Sequence, residues 1–334
     1  MRNSQARPAF TITRSADEWS SRFAGSPTRT IVTVGNFDGV HLGHQKILQA
    51  VVDRYSNRPR SDEALPRLIP TVLTFYPHPA RVLRPEKAPP LLMTLEQRLA
   101  AIEKAGMQAA LVLSFNRELS QVGPQDFARQ YLVETLRAEA IFVGQNFRFG
   151  HGQAGDVNLL RELGKRWDFE VEVIPPVTVD GVVVSSTAIR HALREGRVEN
   201  AHKLLGRPYA LAGEIRAGTG QGRKLVVPTL NLATGQELLP KNGVYATQVL
   251  LDGNVHQAAT NVGVRPTFDG TKTTVESHLL DFHENRTSGP MEVRFLTHLR
   301  DEQKFANPQE LREQVLRDIE RAREYFHAQK SAGA

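Results

Sequence analysis

Two histidines stand three residues apart in the stretch VGNFDGVHLGHQKIL, where His41 and His44 follow a strand-like apolar run and precede a helical pattern. The carboxyl ends of parallel strands are where open α/β sheets bind ligands. A helix that begins there offers free N–H groups and a positive dipole end to an anion. Gly35 and Gly39 allow the backbone to turn and approach a ligand closely. The stretch therefore predicts a phosphate site in which both imidazoles donate hydrogen bonds.

The paired histidines are also compatible with a metal site or with a plain turn. A metal site would need a third and a fourth ligand. Asp38 could supply one, but no other histidine or cysteine is local. A tight turn with incidental histidines is the second alternative if the motif stands alone.

A second stretch downstream has a similar design. In VSSTAIRHAL, from Val184, a β-branched run and three hydroxyl residues precede a helical pattern. Ser186 or Thr187 is predicted to cap that helix. Arg190 follows Thr187 by three residues, on the same face of the first turn, where it can reach the same anion. Between the two stretches, VGQNFRFGHGQAGD suits a loop that closes over a planar ligand.

The C-terminal half offers another set of polar residues, in GEIRAGTGQGRKLVVPTLNL from Gly213. A glycine-rich loop before basic residues can cradle phosphates, although it does not match the P-loop pattern and also suits a hairpin turn. Thr229 and Asn231 alternate with leucines, so in a strand both face one side, where their oxygens could hold Mg²⁺. The alternative is the solvated face of a barrel strand.

Composition restricts the class of protein. With 334 residues the chain is expected to form two domains, and 40% hydrophobic with 23% charged residues is typical of a soluble globular protein. No run approaches about 18 apolar residues, and the N-terminus lacks a signal-peptide pattern. The chain has no cysteine, which excludes disulfides and thiolate zinc sites. We expect a cytoplasmic protein without a membrane partner.

The formal net charge of +6 suits anionic partners. However, no block of five or more Lys and Arg occurs, and only 7% of residues are aromatic. These features favour small phosphates over nucleic acid as the anionic partner.

The elements that would position these residues change character along the chain. Up to about residue 187, strand-like and helical patterns alternate, which predicts a parallel sheet with helices on both faces. Residues 57–70 form a polar, proline-punctuated insertion. Residues 188–206 are helical, and from Tyr209 closely spaced strand patterns predict a barrel or sandwich. Asn307 is expected to cap a final helix with an apolar stripe of Leu311, Val315, Ile319 and Ala322.

The motifs together resemble the bifunctional riboflavin kinase/FAD synthetase family of bacteria. GNFDGVHLGH, TFYPHP, VGQNFRFG and SSTAIR match its FMN adenylyltransferase module in order and spacing, and PTLN, NGVYA, NVGVRPTF, VESHLLDF and HLRDEQKF match its kinase module. The resemblance implies a Rossmann-like nucleotidyltransferase domain (1–187), a helical linker (188–206) and an all-β Greek-key barrel with a C-terminal helix (207–334). It also implies Mg²⁺, ATP as co-substrate, and FMN and FAD as product ligands.

For the first site, the resemblance implies that His41, His44 and Arg190 are catalytic and that Asn146 binds flavin. It places ATP on Gly35, Phe37, Asp38, Ser186 and Thr187. Gln145 stands where the family often has an acid.

For the second site, the resemblance implies that Thr229 and Asn231 bind Mg²⁺ with ATP and that Glu276 is the general base. It places flavin on Arg300 and ATP on Gly218, Gly220, Gly222 and Arg223. Val226 and Leu230 depart from the usual glycine and alanine and add bulk beside the nucleotide loop.

We therefore expect an enzyme that phosphorylates riboflavin to FMN and adenylates FMN to FAD, as a monomer or weak homo-oligomer. One alternative is a monofunctional FAD synthetase, or a flavin-binding regulator, with an impaired kinase site. Another is an RNA-linked nucleotidyltransferase or a tRNA synthetase relative. Such a protein is expected to have a lysine-rich catalytic loop where this chain has SSTAIR.

Overall fold

The computed structural model of the chain describes residues 9–25, 28–57, 67–216, 227–267, 270–284 and 286–332. Its residues fall into two compact units, one ending at Val184 and the other beginning at Ser185. Most of the 57–70 insertion, together with Gly218, Gly220, Gly222, Arg223 and Val226, lies outside the described residues.

The first unit is built on a six-stranded sheet in the order β1-β4-β3-β2-β5-β6, and every neighbouring pair is parallel. The predicted parallel sheet is confirmed, although sequence analysis missed its edge strand β1. The strands are β1 (Thr11–Thr13), β2 (Thr28–Val34), β3 (Arg67–Tyr76), β4 (Ala109–Ser114), β5 (Ala138–Gly144) and β6 (Glu170–Ile174).

Helices cover both faces of this sheet, as β2 illustrates. Val32 and Val34 belong to one buried cluster, whereas Ile31 belongs to another on the opposite face. Such a strand is buried on both sides. The helices are α1 (Ala16–Arg22), α2 (Leu42–Ser56), α3 (Pro79–Leu83), α4 (Leu95–Lys104), α5 (Arg117–Ser120), α6 (Pro124–Phe127) and α7 (Val157–Trp167). A π-helical segment (Ala128–Thr135) extends α6, and β7 (Thr178–Val179) pairs with β8 (Val182–Val183) as a hairpin.

The second unit is a closed barrel in the order β10-β13-β12-β11-β14-β9, with every neighbouring pair antiparallel. Strand β10 lies beside β13 rather than β11, which is a Greek-key connection. The elements are α8 (Ser186–Arg194), α9 (Val198–Leu205), β9 (Tyr209–Arg216), β10 (Leu230–Thr234), β11 (Gly243–Leu251), β12 (Asn254–Thr267), β13 (Gly270–Leu279), β14 (Pro290–Asp301) and α10 (Pro308–Ala332).

The two helices before the barrel are part of its unit. On α9, Glu199 accepts hydrogen bonds from the Thr297 hydroxyl and from the His298 N–H, the latter at 3.0 Å. Helix α9 therefore packs against the end of β14. The predicted limits 1–187, 188–206 and 207–334 stay a prediction, close to the division after Val184.

The barrel has an inner and an outer face that alternate along each strand. Inside, the fully buried hydroxyls of Thr247, Thr260 and Ser277 form a ladder with O···O distances of 2.6 and 2.8 Å. Outside, Ile319 and Ala322 of α10 pack on the barrel, as the predicted stripe requires. The Asn307 side chain accepts the Glu310 N–H at 2.9 Å, which confirms the predicted cap.

Candidate active sites

The turn between β2 and α2 brings the paired histidines together. His41 is the N-cap of α2, and its Nδ1 accepts the backbone N–H of His44 at 3.3 Å. The two rings stack with centroids 3.7 Å apart and planes 16° apart. Because Nδ1 of His41 is an acceptor, its Nε2 is the nitrogen that can carry a proton and donate to a ligand.

The backbone of this turn is tightly shaped. Phe37, Gly39 and Val40 all have positive φ, at 52°, 86° and 39°. A Cβ at Gly43 would lie 3.2 Å from the His41 ring, so a larger residue would push the imidazole aside. Gly43 thus leaves room for the His41 ring in its stacked position.

His44 is in an unusual electrostatic environment. Its Nδ1 is buried and has no hydrogen-bond partner among the residues that the structure describes. Burial lowers the pKa of His44 well below its usual range, and His41 and Arg98 lower it further. The lowered pKa favours the neutral form of the His44 ring at pH 7. A buried nitrogen without a partner is uncommon in proteins and often belongs to a functional group.

Two residues predicted to bind ATP lie inside the turn. The Asp38 carboxylate, 4% exposed, accepts the Leu92 N–H at 3.0 and 3.2 Å. The Phe37 ring is 1% exposed and lies 5.1 Å from the His44 ring. Both side chains shape the turn, while their contacts with ATP stay predictions.

Sequence analysis missed Arg98, which supports the same turn from α4. Arg98 is 4% exposed, and its guanidinium donates to the backbone carbonyls of Asn36 and Phe75. The available signal was its position on the apolar face of α4, three residues after Leu95 and four before Ile102.

Asn146 lines a cavity of about 560 Å³ beyond the end of β5. This volume lies in the range of small-molecule sites. The Phe147 and Phe149 rings stack beside it at 5.4 Å. The lining residues are Gln145, Asn146, Phe147, Arg148, Asp156, Val157, Asn158, Arg161, Val173 and Pro175. The predicted flavin residue thus borders space for a ligand.

The helix of SSTAIR begins earlier than predicted. Its N-cap is Ser185, whose hydroxyl accepts the Ala188 N–H at 3.2 Å, so the prediction of Ser186 or Thr187 as cap is wrong. The physical reason is that Ser185 is the last extended residue, at φ −154°, and Ser186 is already helical. Arg190 is buried on α8. Since α8 belongs to the second unit, its part in the histidine site stays a prediction.

On the barrel, three polar residues lie in one row across neighbouring strands. Glu276 of β13 is opposite Asn231 of β10 and opposite Asn261 of β12. Its neighbour Ser277 is buried inside the barrel, so Glu276 is on the outer face. A carboxylate oxygen of Glu276 accepts the Thr274 hydroxyl at 3.1 Å. Asn261 is the member of this row that sequence analysis did not single out.

The predicted Mg²⁺ ligands lie at the start of β10. Asn231 is within the strand, whereas Thr229 precedes it and is exposed. The preceding Pro228 carbonyl lies 2.9 Å from Nδ1 of His278, which ties this segment to β13. Across the described part of the chain, no three His, Cys, Asp or Glu side chains cluster as a metal site. A cation here would therefore take hydroxyl, amide and phosphate oxygens, which are ligands suited to Mg²⁺.

Arg300, predicted to bind flavin, lies in a largely buried ion pair. Its guanidinium donates to both carboxylate oxygens of Asp318 on α10, at 2.7 to 3.1 Å. The two side chains are 14% and 5% exposed. The pair anchors the end of β14 to α10, and the contact of Arg300 with flavin stays a prediction.

Comparison with known proteins identifies the family. The FAD synthetase family model matches residues 24–188, and the riboflavin kinase family model matches residues 205–326. The chain is 35% identical over 304 residues to the bifunctional riboflavin kinase/FMN adenylyltransferase of Escherichia coli K12, covering 90% of this chain and 94% of that protein. The chain belongs to the bifunctional riboflavin kinase/FMN adenylyltransferase family.

Other members of this family give the same picture. The protein from Haemophilus influenzae is 35% identical (89% of this chain, 94% of that one), and the one from Pseudomonas fluorescens is 36% identical (88% and 92%). The predicted family, the α/β-plus-barrel fold and the two transferase activities are confirmed. The chain therefore carries riboflavin kinase and FMN adenylyltransferase activities.

One solved structure is similar over most of the chain. A crystal structure described as a macrolide-efflux protein from Streptococcus pneumoniae has a TM-score of 0.80 and 27% identity, covering 94% of this chain and 98% of that one. In the ranges that the structure describes, no helix has the length and apolarity needed to cross a bilayer.

Proposed function

We propose that the two activities of this chain reside in two separate sites, adenylyl transfer at the turn between β2 and α2 and riboflavin phosphorylation on the outer face of the barrel. The observation that carries the first assignment is the stacked histidine pair at a helix N-terminus, with the buried Nδ1 of His44 lacking a partner among the described residues. The second rests on the row that joins Glu276 with Asn231 and Asn261.

At the first site, a phosphate oxygen of FMN attacks the α-phosphorus of ATP, a new P–O–P bond forms, and pyrophosphate leaves. His41 and His44 donate hydrogen bonds to phosphate oxygens as charge builds in the transition state. The phosphate nucleophile is already an anion, so no protein nucleophile or base is required and positioning suffices.

The remaining predicted residues divide between the two substrates of this reaction. Arg190, with Ser186 and Thr187, steadies the triphosphate. Asn146 holds the flavin, supported by its place on the 560 Å³ cavity.

At the second site, Glu276 accepts the proton of the riboflavin 5′-hydroxyl while that oxygen attacks the γ-phosphorus of ATP and ADP leaves. A base within reach of the attacking hydroxyl is what phosphoryl transfer to an alcohol requires. Thr229 and Asn231 would hold Mg²⁺ together with ATP, and the ion, when bound, neutralises charge on the phosphate oxygens. Asn231 is opposite Glu276 in register, which supports metal and base acting on one substrate pair.

The departure at Leu230 is compatible with an active kinase. Leu230 is opposite Ser277 in register and so lies on the side of β10 away from Asn231. Its extra bulk is directed toward the barrel interior.

We also propose a cytoplasmic enzyme that acts on riboflavin, FMN and ATP, binds neither nucleic acid nor membranes, and is a monomer or weak homo-oligomer. A chain without cysteine fits a reducing compartment, where disulfides are rare.

The proposal is tested by incubating the protein with riboflavin, ATP and Mg²⁺ and resolving FMN from FAD by chromatography over time. FMN should rise first and FAD should follow, and EDTA should stop both. If the protein makes FAD from added FMN but makes no FMN from riboflavin, the kinase site is contradicted. FMN that accumulates without FAD would contradict the adenylyltransferase site.

A further inference from the structure

Arg98 is a buried cation that the two reactions do not yet account for. It lies on the apolar face of α4 among Leu95, Leu99 and Ile102, and only 4% of its surface is exposed. Arginine is almost never fully buried unless it is paired. Its guanidinium donates to the carbonyl of Asn36 in the histidine turn. It also donates to the carbonyl of Phe75 near the end of β3, with an N···O distance of 3.5 Å. One side chain therefore links two backbone segments at the carboxyl edge of the sheet.

Arg98 stays cationic although it is buried, because a guanidinium is not deprotonated in proteins. Burial lowers the pKa of Arg98, but Asp38, Tyr76 and Glu96 act in the opposite direction. Asp38 belongs to the same turn and fixes it to the Leu92 N–H. The turn is thus fixed by two buried charged side chains, Arg98 and Asp38. Arg98 also acts on His44, whose pKa it lowers together with burial and His41.

We propose that Arg98 is a positioning residue for adenylyl transfer, because its bonds to the Asn36 and Phe75 carbonyls fix the turn that presents His41 and His44 to the ATP phosphates. The inference rests on the proposed function of the two histidines. A misplacement of about 1 Å at a reacting centre can cost about 100-fold in rate. The planar guanidinium suits two acceptors at once, whereas the ammonium of a lysine is a point charge on a flexible stem.

The test compares four variants of the full chain: Arg98→Met, Arg98→Lys, His44→Ala and the matched control Arg54→Met. Arg54 is an exposed arginine of the same unit that pairs with Glu170 at 3.0 Å. For FAD synthesis from FMN we expect kcat to fall about 100-fold in Arg98→Met and about tenfold in Arg98→Lys, with KM for ATP nearly unchanged. Riboflavin phosphorylation should be unchanged in all four, and FAD synthesis should be unchanged in Arg54→Met.

Histidine ring NMR tests whether the charge of Arg98 acts on His44, while the unchanged KM with a lowered kcat tests the positioning role. The His44 resonance is assigned by its loss in His44→Ala, and its titration is followed in the other variants. The charged groups that act on His44 are His41 and Arg98. The His44 pKa should therefore rise in Arg98→Met and stay unchanged in Arg98→Lys and Arg54→Met.

The outcomes separate this inference from the proposed function. If Arg98→Met keeps the wild-type kcat while His44→Ala loses FAD synthesis, the role of Arg98 is overturned and the histidine site is retained. Unchanged FAD synthesis in His44→Ala overturns the site itself. If Arg98→Met does not fold, Arg98→Lys decides, since wild-type kcat there would contradict the need for two carbonyl bonds.

Discussion

The two candidate sites differ in their side chains and in the nucleophile of the proposed reaction. The turn between β2 and α2 presents two imidazoles and a helix N-terminus, and the one carboxylate of that turn, Asp38, is bound to the Leu92 N–H. The barrel row instead places a carboxylate, Glu276, between two asparagines. FMN attacks as an anion and needs no base, whereas riboflavin attacks as an alcohol and does. The proposed use of Glu276 as a base, with no base at the first site, thus distinguishes the two reactions.

The largest expected effect comes from removing the base. Glu276→Gln keeps the shape of the side chain but cannot accept the hydroxyl proton, so riboflavin kinase kcat should fall by about 10² to 10⁴. FMN adenylylation should stay intact. Glu214→Gln, an exposed acid on barrel strand β9, is the matched control and should change neither rate. Steady-state assays with riboflavin and with FMN measure both activities, and wild-type kinase turnover in Glu276→Gln would rule out the base.

The second effect concerns the donor at the first site. His44→Ala should slow FAD synthesis about 100-fold or more, the scale of losing one preorganised donor, while FMN formation continues. His151→Ala serves as the control, because His151 is exposed in the same unit and its Nδ1 lies 3.0 Å from the Ser120 carbonyl oxygen. Equal rates in the wild type and in His44→Ala would contradict a phosphate role for this ring.

A third experiment measures how much the Arg300–Asp318 ion pair contributes to the stability of the barrel unit. Asp318→Ala leaves Arg300 buried without its partner carboxylate, so the free energy of unfolding of the barrel unit should fall by about 3 kcal/mol. Both tryptophans of the chain, Trp19 and Trp167, belong to the first unit. Circular dichroism should therefore report an earlier transition while tryptophan fluorescence does not. A shift of the fluorescence transition, or no shift at all, would contradict this description.

The smallest effect is a pH dependence of the first unit. The pKa of His44 is lower in the folded protein than its usual value of about 6.5, so the unfolded chain binds this proton more readily. Stability from neutral His44 is present above about pH 6.5 and is lost as pH falls toward the folded pKa, by at most about 1.4 kcal/mol per pH unit. Urea unfolding followed by tryptophan fluorescence should show a shallower acid slope in His44→Gln. The same slope in both proteins would be incompatible with a depressed pKa.

Periodicity in the sequence was enough to predict a parallel sheet with helices on both faces in the first unit, and a barrel or a sandwich in the second. The strand-like run at β2 and the cap at Asn307 each have a local cause, and both are found. The edge strand β1 was missed because three residues carry too short a pattern to separate from a loop. The cap of α8 was misplaced by at least one residue because three consecutive hydroxyl residues offer several equivalent caps.

The parts of the sites that sequence could not supply depend on long-range contacts. The bond from Arg98 to Asn36 joins residues 62 apart, and the bond from Asp38 to Leu92 joins residues 54 apart. The ion pair of Arg300 likewise depends on the docking of α10. Local spacing carries no information on such partners, although a single arginine on the apolar face of α4 was a usable sign.

The claim that the two activities occupy separate sites is tested most directly by complementation. His44→Ala and Glu276→Gln are each incubated with riboflavin, ATP and Mg²⁺, alone and as an equimolar mixture, and FMN and FAD are resolved by chromatography. His44→Ala should stop at FMN, Glu276→Gln should leave riboflavin unchanged, and the mixture should make FAD, because FMN released by one variant is adenylated by the other. Loss of both activities in either single variant, although that variant still unfolds cooperatively, would contradict two separate sites, and so would a mixture that makes no FAD.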